Sequence, residues 1–235
     1  MTDDQTALKR AAAAKALDYV QDGMKLGLGT GTTAEMFLEL LSPRVRGGLS
    51  VLGVPTSERT AARARALGLS LASLDENAPL DLTVDGADEA DRELTLIKGG
   101  GGALLREKIV AASSRRMLVI ADESKLVARL GKFPLPVEVL EFGHKSTAAR
   151  LAMAARALGY GDVAITLRLR DGAVFRSDSG NPIYDCAFGA ITSAAKLAQA
   201  ISAIPGVVEH GLFIGIATTL VIAHPGEVEI IEREK

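Results

Sequence analysis

The chain has 235 residues, 48% of them hydrophobic and 24% charged, which suits one large globular domain or two small ones. A formal net charge of −2 excludes an overall basic field that would recruit nucleic acid or an anionic membrane surface. Cys186 is the single cysteine, so no disulfide can form within the chain, as suits a reducing compartment.

The start, Met1-Thr-Asp-Asp, lacks the basic, apolar and cleavage segments of a signal peptide. The most apolar run, Gly211 to Ala223, is interrupted and falls short of the ~20 residues of a membrane span. A soluble, cytoplasmic protein is expected, with neither nucleic acid nor membrane as partner.

In chain order, Asp3 to Val20 reads as a helix stopped at Gly23, and Met24 to Leu28 as a strand. A helix follows Thr33, with Met36, Phe37, Leu40 and Leu41 on one face. Leu49 to Val54 is the next strand, and Ser57 can cap a helix that ends at Gly68. Leu69 to Leu74, Leu80 to Val84, Leu94 to Ile97 and Met117 to Ala121 are further strands, with a helix over Ala103 to Ala112. This alternation predicts an α/β fold, a Rossmann-like, mostly parallel sheet with helices on both faces.

The prolines of Leu130-Gly-Lys-Phe-Pro-Leu-Pro136 mark a boundary. Beyond it come strands at Val137 to Phe142, Ala164 to Arg170, Pro182 to Phe188 and Val207 to Ile214. Helices at Ser146 to Leu158 and Thr192 to Ile204 complete a β-α-β-β-α-β, ferredoxin-like order. Thr219 to Ala223 and Val228 to Ile231 are expected to rejoin the first sheet. Residues 1–131 and 214–235 would then form one domain, and 132–213 an inserted α+β unit.

Three loops at strand ends carry candidate chemistry, where ligands of such sheets gather. Gly27-Leu-Gly-Thr-Gly-Thr-Thr33 joins a strand to a helix. Its amides and hydroxyls suit a phosphate, although the stretch also reads as a glycine-rich turn without a ligand. It lacks the third glycine of a dinucleotide fingerprint and the Gly-Lys-Ser/Thr of a Walker loop. Asp85-Gly-Ala-Asp-Glu89 could bind a divalent cation, move protons on a polyol or cap a turn. Capping suits Glu89 and Asp91, whereas Asp85 and Asp88 are favoured for function.

Lys98 then precedes Gly99, Gly100, Gly101 and Gly102, and Glu107 lies one turn into the next helix. Four glycines carry an entropic cost that makes sense where backbone packs closely around a small ligand. A cation, an amide-lined pocket and a carboxylate thus converge. His144, His210 and His224 lack metal-ligand spacing, so no metal site is expected.

These stretches, with Arg106-Glu-Lys108, Gly131-Lys-Phe-Pro-Leu-Pro-Val-Glu138 and Ala203 to Phe213, resemble the type A ribose-5-phosphate isomerases over nearly the whole chain. The resemblance implies a metal- and cofactor-free exchange of ribose 5-phosphate with ribulose 5-phosphate in a homodimer or homotetramer. It implies Glu107 as the proton-transferring base, with Asp85 and Asp88 serving sugar hydroxyls and ring opening. Lys98 and the amides of Gly99, Gly100 and Gly101 would stabilise the charged intermediate. Thr30, Gly31, Thr32, Thr33, Lys9 and Lys125 would surround the phosphate, with Gly86 and Ala87 also against the substrate. The chain departs from the family pattern at Thr218-Thr219 and at Ala187. Rival readings are an acyl-CoA transferase with a Glu nucleophile, a sugar-phosphate sensor and a metal-dependent hydrolase built on Asp85, Asp88 and Asp91.

Overall fold

The computed structural model describes residues 3–233; the outermost positions of the expected first domain, 1–2 and 234–235, lie outside them. The first part of the chain runs α1 (Asp3–Ala16), β1 (Lys25–Leu28), α2 (Thr32–Arg46), β2 (Leu52–Pro55), α3 (Glu58–Ala66), α4 (Leu74–Asn77) and β3 (Leu82–Asp85). It continues through β4 (Glu89–Ala90), β5 (Leu96–Ile97), α5 (Leu104–Ala112) and β6 (Met117–Asp122). Then follow β7 (Leu135–Val139), α6 (His144–Ala157), β8 (Ala164–Leu167), β9 (Leu169–Arg170), β10 (Ala173–Val174), β11 (Ile183–Ala187) and α7 (Ala194–Ser202). The chain closes with β12 (Val207–His210), β13 (Leu212–Phe213), β14 (Thr219–His224) and β15 (Glu227–Glu232).

The main sheet has the order β15-β14-β6-β3-β1-β2, parallel throughout except at the β14–β15 hairpin. Every residue of β6 is buried, because helices cover both faces. Alternate side chains divide between two cores, as the two-residue period of a strand requires. Leu118 and Ile120 join Phe37, Leu38 and Leu41 of α2 and the fully buried Ala12, Ala13 and Ala16 of α1. Met117, Val119 and Ala121 join Ala111 of α5 and Phe213 on the other face. The small side chains of α1 let that helix lie close against the sheet.

The second sheet, β12-β7-β11-β8, is antiparallel, with its last strand beside its first, the arrangement of a ferredoxin-like unit. Leu151 of α6 and Leu197 and Ile201 of α7 bury against it. The α/β class with an added α+β unit is thus the fold observed. Among the described residues, no helix is long and apolar enough to cross a membrane.

Four expected strands differ, and Ala164 to Arg170 is one: it breaks into β8, in the second sheet, and β9, which pairs with β10 alone. Leu69 to Leu74 makes one parallel bridge, Gly53 to Leu71, before the chain turns into α4. Leu94 to Ile97 leaves the main sheet for a small antiparallel one, β13-β5-β4. Asp91 causes this turn: its carboxylate accepts from the N–H groups of Glu93 and Thr95, and Leu94 takes a positive φ of 61°. Val207 to Ile214 is two strands, because Gly211 passes the chain from the second sheet to the small one. Its N–H donates to the Pro136 carbonyl and its carbonyl accepts from Lys98 N–H. A Cβ there would stand 2.2 Å from the Lys98 oxygen, so only glycine allows this approach. That crossing fixes the backbone of Lys98.

Candidate active site

Strand β1 is followed by β2 on one side and by β3 on the other, so the loops after β1 and β3 diverge and leave a crevice at their carboxyl ends. Gly29 lies directly on Asp85, where a Cβ would come within 2.2 Å of Oδ1. That oxygen accepts from Thr30 N–H at 3.1 Å and Gly86 N–H at 2.8 Å. Lys98 enters from the end of β5. Its Nζ donates to the Gly86 carbonyl at 2.7 Å and lies 3.0 Å from Asp85 Oδ2 and 3.3 Å from Glu107 Oε2. The Phe213 ring stands 5.5 Å from the same ammonium. All three charged side chains are buried.

Two buried carboxylates share one buried cation here. Burial pushes the Glu107 carboxyl up to about 8; Lys98 opposes this and the charges of Asp85 and Asp88 add to it. Asp85 is also raised by burial, against the pull of Lys98 and of its backbone donors. For Lys98 burial works downward, yet Asp85 and Glu107 outweigh it and keep the ammonium charged.

Above this triangle opens a cavity of about 140 Å³. Lys98, Glu107 and Asp88 line it, as do Thr30, Gly31, Thr32, Thr33, Gly86, Ala87, Gly99, Gly100, Gly101, Lys9 and Lys125. Asp85 does not: it has no exposed surface and lies behind Lys98. Ala34, which no motif had singled out, completes the wall. Asp88 Oδ2 accepts from Gly100 N–H at 2.7 Å, and Lys9 reaches from α1 to within 3.2 Å of the Thr32 hydroxyl. The N–H groups of Gly99 and Gly101 meet no protein acceptor among the described residues.

The Thr30 hydroxyl is not a free donor to the cavity. It lies 2.8 Å from those of Thr56 and Ser57 and 3.0 Å from that of Thr60. Ser57 caps α3 as expected, accepting from Thr60 N–H. This hydroxyl cluster pins the first loop, and only the cap itself had a local signal. Glu89, read as a turn cap, instead accepts from the backbone N–H groups of Gly131 and Phe133, tying the acidic loop to the second sheet's entry. None of the histidines lines the cavity. Among the described residues, no three His, Cys, Asp or Glu side chains are grouped to hold a metal ion.

The family model for ribose 5-phosphate isomerase A (phosphoriboisomerase A) matches residues 52–227. The chain belongs to the ribose 5-phosphate isomerase A family. A ribose-5-phosphate isomerase A of Rhodopseudomonas palustris is 58% identical over 99% of this chain and 100% of the relative. The ribose 5-phosphate isomerase structure from Plasmodium falciparum superposes with a TM-score of 0.93 at 38% identity, covering 98% of this chain and 100% of that one. A D-ribose-5-phosphate isomerase in complex with phospho-erythronic acid superposes with a TM-score of 0.91 at 35% identity, covering 99% and 100%. Such coverage makes the whole isomerase fold, and not one shared layer, the unit of likeness.

Proposed function

We propose that this family member interconverts D-ribose 5-phosphate and D-ribulose 5-phosphate through an enediolate, using no metal or nucleotide. The observation that carries this reading is the buried Asp85–Lys98–Glu107 triangle opening on a small polar cavity. Moving a carbonyl by one carbon requires a base, donors for an oxyanion and a group to shuttle hydroxyl protons.

Glu107 takes the C2 proton of the open-chain aldose and returns it to C1. Lys98 and the N–H groups of Gly99 and Gly101 carry the charge that builds on oxygen. Asp85, without surface of its own, holds Lys98 in place; Asp88, on the cavity wall, is the carboxylate that reaches sugar hydroxyls and opens the ring. Gly31 to Thr33, Lys9 and Lys125 take the phosphate, whose binding energy orients the reacting end, while Thr30, its N–H and hydroxyl both engaged, braces the loop. A relative's complex with phospho-erythronic acid, a phosphorylated sugar acid, supports a ligand of this class. In this reading residues 132–213 are an inserted domain, and the protein works in the cytoplasm as a homodimer or homotetramer.

The decisive assay follows ribulose 5-phosphate formed from ribose 5-phosphate with a chelator present. Rapid turnover is expected; binding without turnover would refute the reaction. The pH profile tests the base. Glu107 acts when deprotonated, so kcat/KM rises with pH and levels off above about 8, well beyond the phosphate's own ionisation near ~6. A flat profile from pH 7 to 9 would place the base's ionisation below 7 and contradict the upward shift that burial imposes on Glu107. Lys125→Ala should raise KM about 10-fold or more with kcat little changed, since it removes a charged phosphate partner. A fall in kcat alone would place Lys125 in the chemistry instead.

A further inference from the structure

The reaction proposed above relies on glycine amides held rigidly, and the residues that hold them come from the second sheet. Arg168, between β8 and β9, donates from Nη1 to the Gly99 carbonyl at 2.7 Å and the Gly100 carbonyl at 3.3 Å. Its other edge is gripped by Asp185 of β11: Nε donates to Oδ2 at 2.9 Å and Nη2 to Oδ1. A guanidinium can fork in this way and an ammonium cannot. In a planar trans peptide the N–H points opposite to the carbonyl. Drawing the two carbonyls outward therefore turns the N–H of Gly100 inward to Asp88, and that of Gly101 towards the cavity it lines.

Neighbours leave no room for side chains at two of these glycines. A Cβ on Gly100 would stand 2.5 Å from Asp88 Oδ1 and 3.0 Å from the Phe133 ring, and one on Gly102 would stand 2.3 Å from the Phe175 ring. At Gly101 nothing lies closer than 3.6 Å. Phe175 in turn lies under Arg170, 4.3 Å from ring centroid to guanidinium.

We infer that Arg168, clamped by Asp185, is a positioning residue for the isomerisation: it sets the glycine turn so that one amide orients Asp88 and the next faces the reacting oxygen. This inference rests on the isomerase reading. Arg168→Ala should lower kcat about 10–100-fold, the cost of a small misplacement of reacting groups, with KM within about threefold. Arg168→Lys, which reaches one carbonyl but cannot fork, should recover part of the loss. Asp185→Asn should lower kcat in the same direction by less. Amide hydrogen exchange over residues 99–102 should quicken in Arg168→Ala while its melting temperature stays near that of the unaltered protein.

A folded Arg168→Ala protein with unaltered kcat, or with a loss confined to KM, would overturn the assignment. If that variant does not fold, unaltered kcat in Asp185→Asn overturns it instead. Absence of turnover in the unaltered protein would sink the isomerase reading alone; the clamp would then stand or fall on the exchange rates.

Discussion

Glu107→Gln is expected to lower kcat by about 10²–10⁴-fold, the range that general-base catalysis supplies. The amide fills nearly the same volume on the first turn of α5 but cannot accept the proton from C2. Glu107 is buried, and among the described residues its one charged partner within ion-pair distance is Lys98, so little else changes. The ammonium of Lys98 keeps Asp85 as its partner, 3.0 Å away. Stability should therefore hold or rise slightly, because removing one member of a buried charge cluster also removes a desolvation cost. Affinity for a phosphorylated sugar acid, measured by calorimetry, should change little, since the phosphate loop is untouched. Near-normal kcat in this variant would exclude Glu107 as the base.

Lys98→Ala should affect both chemistry and folding. Removing the ammonium takes away a donor positioned where negative charge develops, a loss of about 10²–10³-fold in kcat. It also leaves Asp85 Oδ2 and Glu107 Oε2 buried without a counter-charge, since among the described residues no group besides Lys98 pairs with either oxygen. Breaking a buried pair in this way costs about 3–5 kcal/mol. The loss depends on pH with a definite sign. Both carboxyls are raised by burial, and Lys98 is what opposes that rise. Without it both titrate higher still. A carboxyl raised on folding favours the folded state most at low pH, when it is protonated, and that advantage fades as pH climbs towards its folded value. The variant's melting temperature should accordingly fall further behind the unaltered protein's at pH 8 than at pH 5. An equal deficit at both pH values would contradict the coupling of the three groups.

Much of this site was legible because its chemistry sits in short segments. The glycines of the first loop, Asp85 at the end of a buried strand, and Lys98 before four glycines each announce a strand end near a ligand. The alternation of strands and helices then gathers those ends on one edge. Less visible were the features made by distant pairing. Asp85 and Asp88 look alike in sequence, yet one lies beneath Lys98 and the other faces the cavity. Nothing local distinguishes Val207 to Ile214 from a single strand, because the break at Gly211 depends on the Lys98 carbonyl across from it. Arg168, between β8 and β9, and Asp185, in β11, are half-buried residues in stretches with no local signal. Their meaning comes only from the glycine carbonyls that the fold brings to them. Thr56 and Thr60 are likewise unremarkable until β2 and α3 place their hydroxyls around Thr30.

The central claim is that Glu107 moves the proton between C2 and C1. Ribose 5-phosphate deuterated at C2 tests it directly, with cleavage of the C–D bond followed by NMR in the unaltered protein and in Glu107→Gln. The account predicts rapid loss of label from C2 in the first, with a primary isotope effect on turnover, and virtually none in the second. Label lost at comparable rates from both would show that another group breaks the bond.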